Sequence, residues 1–170
     1  MRNLPAATAL LDTLLRVMDP PSSFVGLRDV STGAWEFSAH GDSAAARQLT
    51  EQALKWTLEH RAPKPSVTWN RTVGIAYLDL GATDSALTYL RRGLPDTTNI
   101  GLGTAAYIAI ASATRGDSAR ARHIADSLGT LKRPFDRGLT PFWRASILAA
   151  LGERELAMST LRTAKEQGQE

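Results

Sequence analysis

The chain contains no cysteine. A disulfide framework, a zinc–thiolate centre and a thiol nucleophile are excluded with it. Charge of one sign is also scarce: the formal net charge over 170 residues is +3. The basic pI therefore reflects a preference for arginine over lysine, sixteen to four, and not a strong positive field. That bias, with abundant alanine and leucine, is typical of a GC-rich bacterial genome. Long apolar runs are missing. The longest nearly apolar stretch, Gly101 to Ala113, is too short for a bilayer and carries Thr104 and Ser112. At the N-terminus Asp12 and Arg16 interrupt the apolar residues at helical spacing, so a signal peptide's unbroken apolar core is lacking. Without a span or an address, a cytoplasmic location is expected.

Reactive constellations are equally sparse. The chain has no Walker loop, nucleophile elbow or HExxH. Gly101-Leu102-Gly103 has neither the preceding strand nor the third glycine of a dinucleotide fingerprint. His40, His60 and His123 are scattered, and His123 with Asp126 on one helix face does not fill a metal site. Asp117 and Glu153 stand at expected helix starts, where negative charge complements the dipole. We therefore expect no catalytic residues, metal or cofactor, and read the chain as non-enzymatic.

What the chain does contain is a repeated phrase. Gly41-Asp42-Ser43-Ala44-Ala45-Ala46 returns as Gly81-Ala82-Thr83-Asp84-Ser85-Ala86, as Gly116-Asp117-Ser118-Ala119-Arg120-Ala121 and as Gly152-Glu153-Arg154-Glu155-Leu156-Ala157. The glycines are spaced by 40, 35 and 36 residues. A period in the mid-thirties predicts a helical-hairpin array. An apolar helical stretch precedes each glycine, which can adopt the left-handed conformation that ends a helix. An Asp, Ser or Thr follows and can cap the next helix. The alanine five residues on lets two antiparallel helices approach closely.

The pattern predicts an all-α fold of nine helices in one domain, 1–170. A first helix, Leu4 to Met18 within 1–21, precedes four hairpins in 22–61, 66–95, 99–130 and 138–168. Their helices are expected at Ser23–Ala39 with Asp42–Arg61, Val67–Leu80 with Asp84–Gly93, Ile100–Arg115 with Ser118–Leu128, and Pro141–Leu151 with Arg154–Gln167. Ala62-Pro63-Lys64-Pro65, Leu94 to Asn99 and Lys132-Arg133-Pro134 punctuate the joints.

Over Ser22 to Gln167 the chain resembles the tetratricopeptide repeat (TPR) family, whose motif W-x-x-L-G-x-x-Y…A-x-x-x-F recurs every thirty-four residues or so. Val73-Gly74-x-x-Tyr77 matches L-G-x-x-Y, with Ala86 at the alanine position and Leu90 at the aromatic one. The fourth repeat keeps Ala145, Ala157, Leu161 and Ala164, the third Ala109, Ala121 and Leu128, and the first Ala34, Phe37, Ala46 and Ala53. The resemblance implies a right-handed α-solenoid of about four hairpins. It also implies a concave groove that holds a peptide segment or a partner helix.

Carried over residue by residue, the family's groove positions are Arg28, Ser31 and Trp35, then Arg71, Ile75 and Asp79, then Tyr107 and Ile110, then Phe142, Trp143 and Ser146. The Lys/Asn clamp with which chaperone-binding members hold a terminal carboxylate is not matched. Its positions carry Ser31 and Trp35, Arg71 and Ile75, and Ala106 and Ile110, so only Arg71 could supply a cation. The expected function is a non-enzymatic protein–protein interaction module, with a protein or peptide as partner. The alternative is a sensing or dimerisation segment of a larger bacterial regulator, in which the first helix drives a homodimer. Arg115, Arg120, Arg122, Lys132, Arg133 and Arg137 form a basic stretch, but Asp117, Asp126 and Asp136 interleave it. Neither nucleic acid nor membrane is an expected partner.

Overall fold

Eight helices and no strand make up the described residues, which in this computed structural model are 9, 13, 17, 23–60, 63–94, 99–133 and 136–168. In chain order they are α1 (Ser23–Ala39), α2 (Ser43–Glu59), α3 (Val67–Asp79), α4 (Thr83–Arg92), α5 (Asn99–Thr114), α6 (Ser118–Thr130), α7 (Leu139–Ala150) and α8 (Arg154–Glu166). Adjacent helices pack as hairpins: α1 with α2, α3 with α4, α5 with α6, and α7 with α8. The expected first helix, Leu4–Met18, lies mostly outside the described residues. Of its span only Ala9, Thr13 and Val17 are described, with the Thr13 hydroxyl donating to the Ala9 carbonyl at 2.8 Å.

The repeated phrase folds the same way four times. Gly41, Gly81, Gly116 and Gly152 all have positive φ, between 77° and 95°. The amide after each glycine reaches back to a carbonyl five residues earlier: Asp42 to Phe37, Ala82 to Tyr77, Asp117 to Ser112 and Glu153 to Leu148, all at 2.8–2.9 Å. Each glycine amide donates to the carbonyl three residues before it. This bond pair is the Schellman turn, which satisfies carbonyls that a helix end would leave orphaned.

Capping of the following helices is less uniform than the phrase predicts. Asp42 accepts from the Ala45 amide at 3.0 Å and Asp117 from the Arg120 amide at 3.1 Å. At the other two turns the cap positions are Ala82 and Glu153, which make no side-chain cap bond. Thr83 is already inside α4, and Glu153 pairs instead with Arg122 of α6. Helix α7 begins two residues before the expected Pro141. Proline is tolerated in a first turn because its missing N–H would have no partner there. Asp136 takes over the capping: the Thr140 amide donates to it at 2.9 Å and the Thr140 hydroxyl at 2.7 Å.

All four phrase alanines, Ala46, Ala86, Ala121 and Ala157, are buried. So are Ala34, Phe37, Ala53, Leu90, Ala109, Leu128, Ala145 and Ala164, at positions that the resemblance implies are small or apolar. Leu161 is the exception and stands exposed on α8. Between α3 and α4 the contact is closer than a methyl group allows. A Cβ on Gly74 would fall 2.7 Å from Leu90 Cγ and 2.9 Å from Leu90 N.

The chain divides into two compact units, Met1–Gly93 and Leu94–Glu170. In the first, α3 packs against both helices of the α1–α2 hairpin. Its core includes Leu27, Val30, Phe37, Leu49, Leu54, Trp69 and Val73. In the second, α7 packs against both α5 and α6, around Ala106, Ala109, Ala125, Leu128, Ile147 and Leu148. No helix among the described residues is long and apolar enough to cross a membrane.

Candidate functional site

The first unit contains a cleft of about 370 Å³ lined by Ala34, Trp35 and Ser38 of α1, by Ser43, Ala46, Arg47 and Thr50 of α2, and by Asp79 at the end of α3. Helical geometry explains the grouping. Ala34 and Ser38 are one turn apart, as are Ser43 and Arg47, and Ala46 and Thr50. The small alanines and serines leave the volume that larger side chains would fill.

Two polar links cross this cleft. The Trp35 indole N–H donates to Asp79 Oδ2 at 3.1 Å, joining the first hairpin to the second across 44 residues of sequence. Arg47 directs its guanidinium at the Leu80 carbonyl, with nitrogens at 3.3 and 3.4 Å. That carbonyl lies at the C-cap of α3, where orphan acceptors attract cations. Arg47 Nε also lies 3.5 Å from Glu51 one turn on. Trp35 remains 46% exposed, a large aromatic surface open to a partner. Loss of hydration against the surrounding helices pushes the Asp79 carboxyl up to about 6, and the Trp35 hydrogen bond only partly offsets this. Near neutral pH the cleft holds a carboxylate beside an exposed indole.

Of the sequence-derived groove positions, Trp35 and Asp79 meet here. Arg28 is exposed on α1 and turned to its neighbour Asp29 at 2.9 Å. Arg71 is half-buried on α3, where Gly93 approaches so closely that a Cβ would come within 2.7 Å of the Arg71 amide nitrogen. Ile75 is half-buried. Ser31 is buried, and its hydroxyl has no hydrogen-bond partner among the described residues.

In the second unit Tyr107, Phe142 and Trp143 form an aromatic cluster. Trp143 meets Tyr107 edge-on at 5.3 Å and Phe142 at 5.1 Å. Trp143 and Ile110 both pack on that unit's core, so this group is largely self-contained. Ser146 donates to the Phe142 carbonyl within its own helix.

Arg47, Ser38, Ser43 and Thr50 are not among the sequence-derived groove positions. A signal for Arg47 existed: it lies six residues after the turn glycine, on the helix that returns past the neighbouring hairpin. The histidines hold no common site. His40 lies 3.6 Å from Glu36, and His60 stacks on Trp56 with its Nδ1 2.8 Å from the Trp56 carbonyl. Among the described residues no group of His, Asp and Glu could hold a metal ion. No family model matches the chain, and neither the curated proteins nor the solved structures yield a match to it.

Proposed function

We propose that this protein is a peptide-binding module built of TPR-like helical hairpins as a right-handed α-solenoid, with no catalytic role. The observation that carries this reading is the pairing of exposed Trp35 with Asp79 across two successive hairpins, at the rim of a cleft lined by Arg47 and small polar residues. Tryptophan and arginine are the residue types that anchor interfaces. A carboxylate beside an exposed indole favours a cationic side chain, through charge and through the ring's face. The ligand is therefore a peptide segment carrying Lys or Arg.

The test is selection from a displayed random-peptide library, followed by fluorescence anisotropy of the enriched sequences. Enrichment of a basic position, with affinity falling about tenfold or more for Trp35→Ala and for Asp79→Asn, is the expected result. Enrichment that is the same on the double variant removes the proposal.

A second reading is a dimerisation segment of a larger bacterial regulator. It draws on Met158 and Leu161, three residues apart and exposed on α8. Sedimentation equilibrium separates the two. A dimer abolished by Leu161→Lys supports self-association, and a monomer that binds peptide supports the first reading.

A further inference from the structure

A cavity of about 590 Å³ in the second unit carries more positive than negative charge in its lining. It opens to solvent and is bordered by the C-terminal end of α6, by Leu131 to Arg133 and Asp136, by the start of α7 and by one face of α8. Three cations line it, Lys132, Arg133 and Arg144, against one carboxylate, Asp136. That carboxylate is already committed: it accepts from the Thr140 amide and hydroxyl and caps α7. The hydroxyls of the α8 wall are committed as donors as well. Ser159 and Thr160 both donate to the Leu156 carbonyl, at 3.0 and 2.7 Å.

The unspent donors are cationic. Neither Lys132 nor Arg144 forms an ion pair or hydrogen bond among the described residues. The Arg144 guanidinium lies flat against Gly129 of α6, where a Cβ would stand 3.1 Å from both its Cζ and its Nε. Its Nε is buried there without an acceptor. Glycine at 129 thus makes room for a planar cation that no described residue neutralises. Two exposed apolar side chains border the same cavity. Leu131 and Leu156 line the cavity while remaining more than 40% exposed.

We infer that this cavity binds a small amphipathic carboxylate, its head on Arg144 and Lys132 and its aliphatic body against Leu131 and Leu156. Guanidinium and carboxylate match as planar bidentate partners. The volume falls within the range of small-molecule sites. Inorganic phosphate would satisfy the charge and leave the leucine wall in water.

The experiment is titration of the full chain with hexanoate, hexanamide and inorganic phosphate, followed by amide chemical shifts. The expected result is saturable hexanoate shifts centred on Gly129, Arg144 and Thr160. Hexanamide and phosphate should each bind about tenfold or more weakly, because each lacks one half of the match. Arg144→Gln should weaken hexanoate by a similar factor, and Lys132→Gln, an exposed site that leaves the fold intact, by several-fold. Equal binding of hexanoate and hexanamide, equal binding of phosphate, or hexanoate shifts unchanged in Lys132→Gln and Arg144→Gln would each overturn the assignment, as would no saturable shift at all.

Discussion

The Trp35 indole donates to Asp79 across 3.1 Å, tying the first helix of one hairpin to the first helix of the next. Loss of hydration raises the Asp79 carboxyl above its ordinary range, to about 6. A carboxyl whose folded value lies above its unfolded one keeps its proton longer in the native state. The native state then binds more protons between about pH 4 and about pH 6, so stability falls as pH rises through that window and levels off above it. Asp79→Asn should remove this slope, since an amide does not titrate and can still accept the indole hydrogen. Urea unfolding of both proteins across that range checks it, and parallel curves would rule out the assignment to Asp79.

Close approach of α3 and α4 depends on the missing side chain at Gly74. Gly74→Ala should destabilise the first unit by about 1–3 kcal/mol, because Leu90 offers both side-chain and backbone atoms to the new methyl and the backbone cannot yield. Because alanine is the better helix former, a gain in denaturation midpoint would show that the helices separate freely.

The phrase alanines make a sharper demand. Ala86 and Ala121 are fully buried, so Ala86→Arg or Ala121→Arg should cost several kcal/mol through overpacking and an unpaired buried charge, on the order of 3–5 kcal/mol. Thermal melting reads this directly. Unchanged melting of both variants would refute the helix register described here.

Capping separates the four turns. Asp117→Ala removes the bond to the Arg120 amide and should cost about 1 kcal/mol. Replacing Ala82 with Asp, at the cap position that lacks a bond, should return stability of similar size to α4. Chemical denaturation of the two variants against the parent protein measures both signs.

Self-association is checked on α8. Leu161→Lys places a charge on an exposed apolar position and should leave a monomer's melting temperature within about 2 °C of the parent. A large drop that depends on protein concentration would mean that the face is covered in solution.

Hairpins, their turns and most of the core are decided by local chemistry. A left-handed glycine followed by bonds reaching three and five residues back is a conformation of six consecutive residues, and alanine's size acts wherever that turn places it. Gly41, Gly81, Gly116 and Gly152, with Ala46, Ala86, Ala121 and Ala157, could therefore be read without a structure. The working caps were only half legible, since Ala82 and Glu153 occupy positions whose role depends on where the turn ends to within one residue. The Trp35–Asp79 bond over 44 residues and the presence of Lys132 and Arg144 around one cavity were decided by packing. Each depends on the angle and register at which one hairpin lies on its neighbour. Those quantities come from the summed fit of side chains on two surfaces, and no spacing along the chain encodes them.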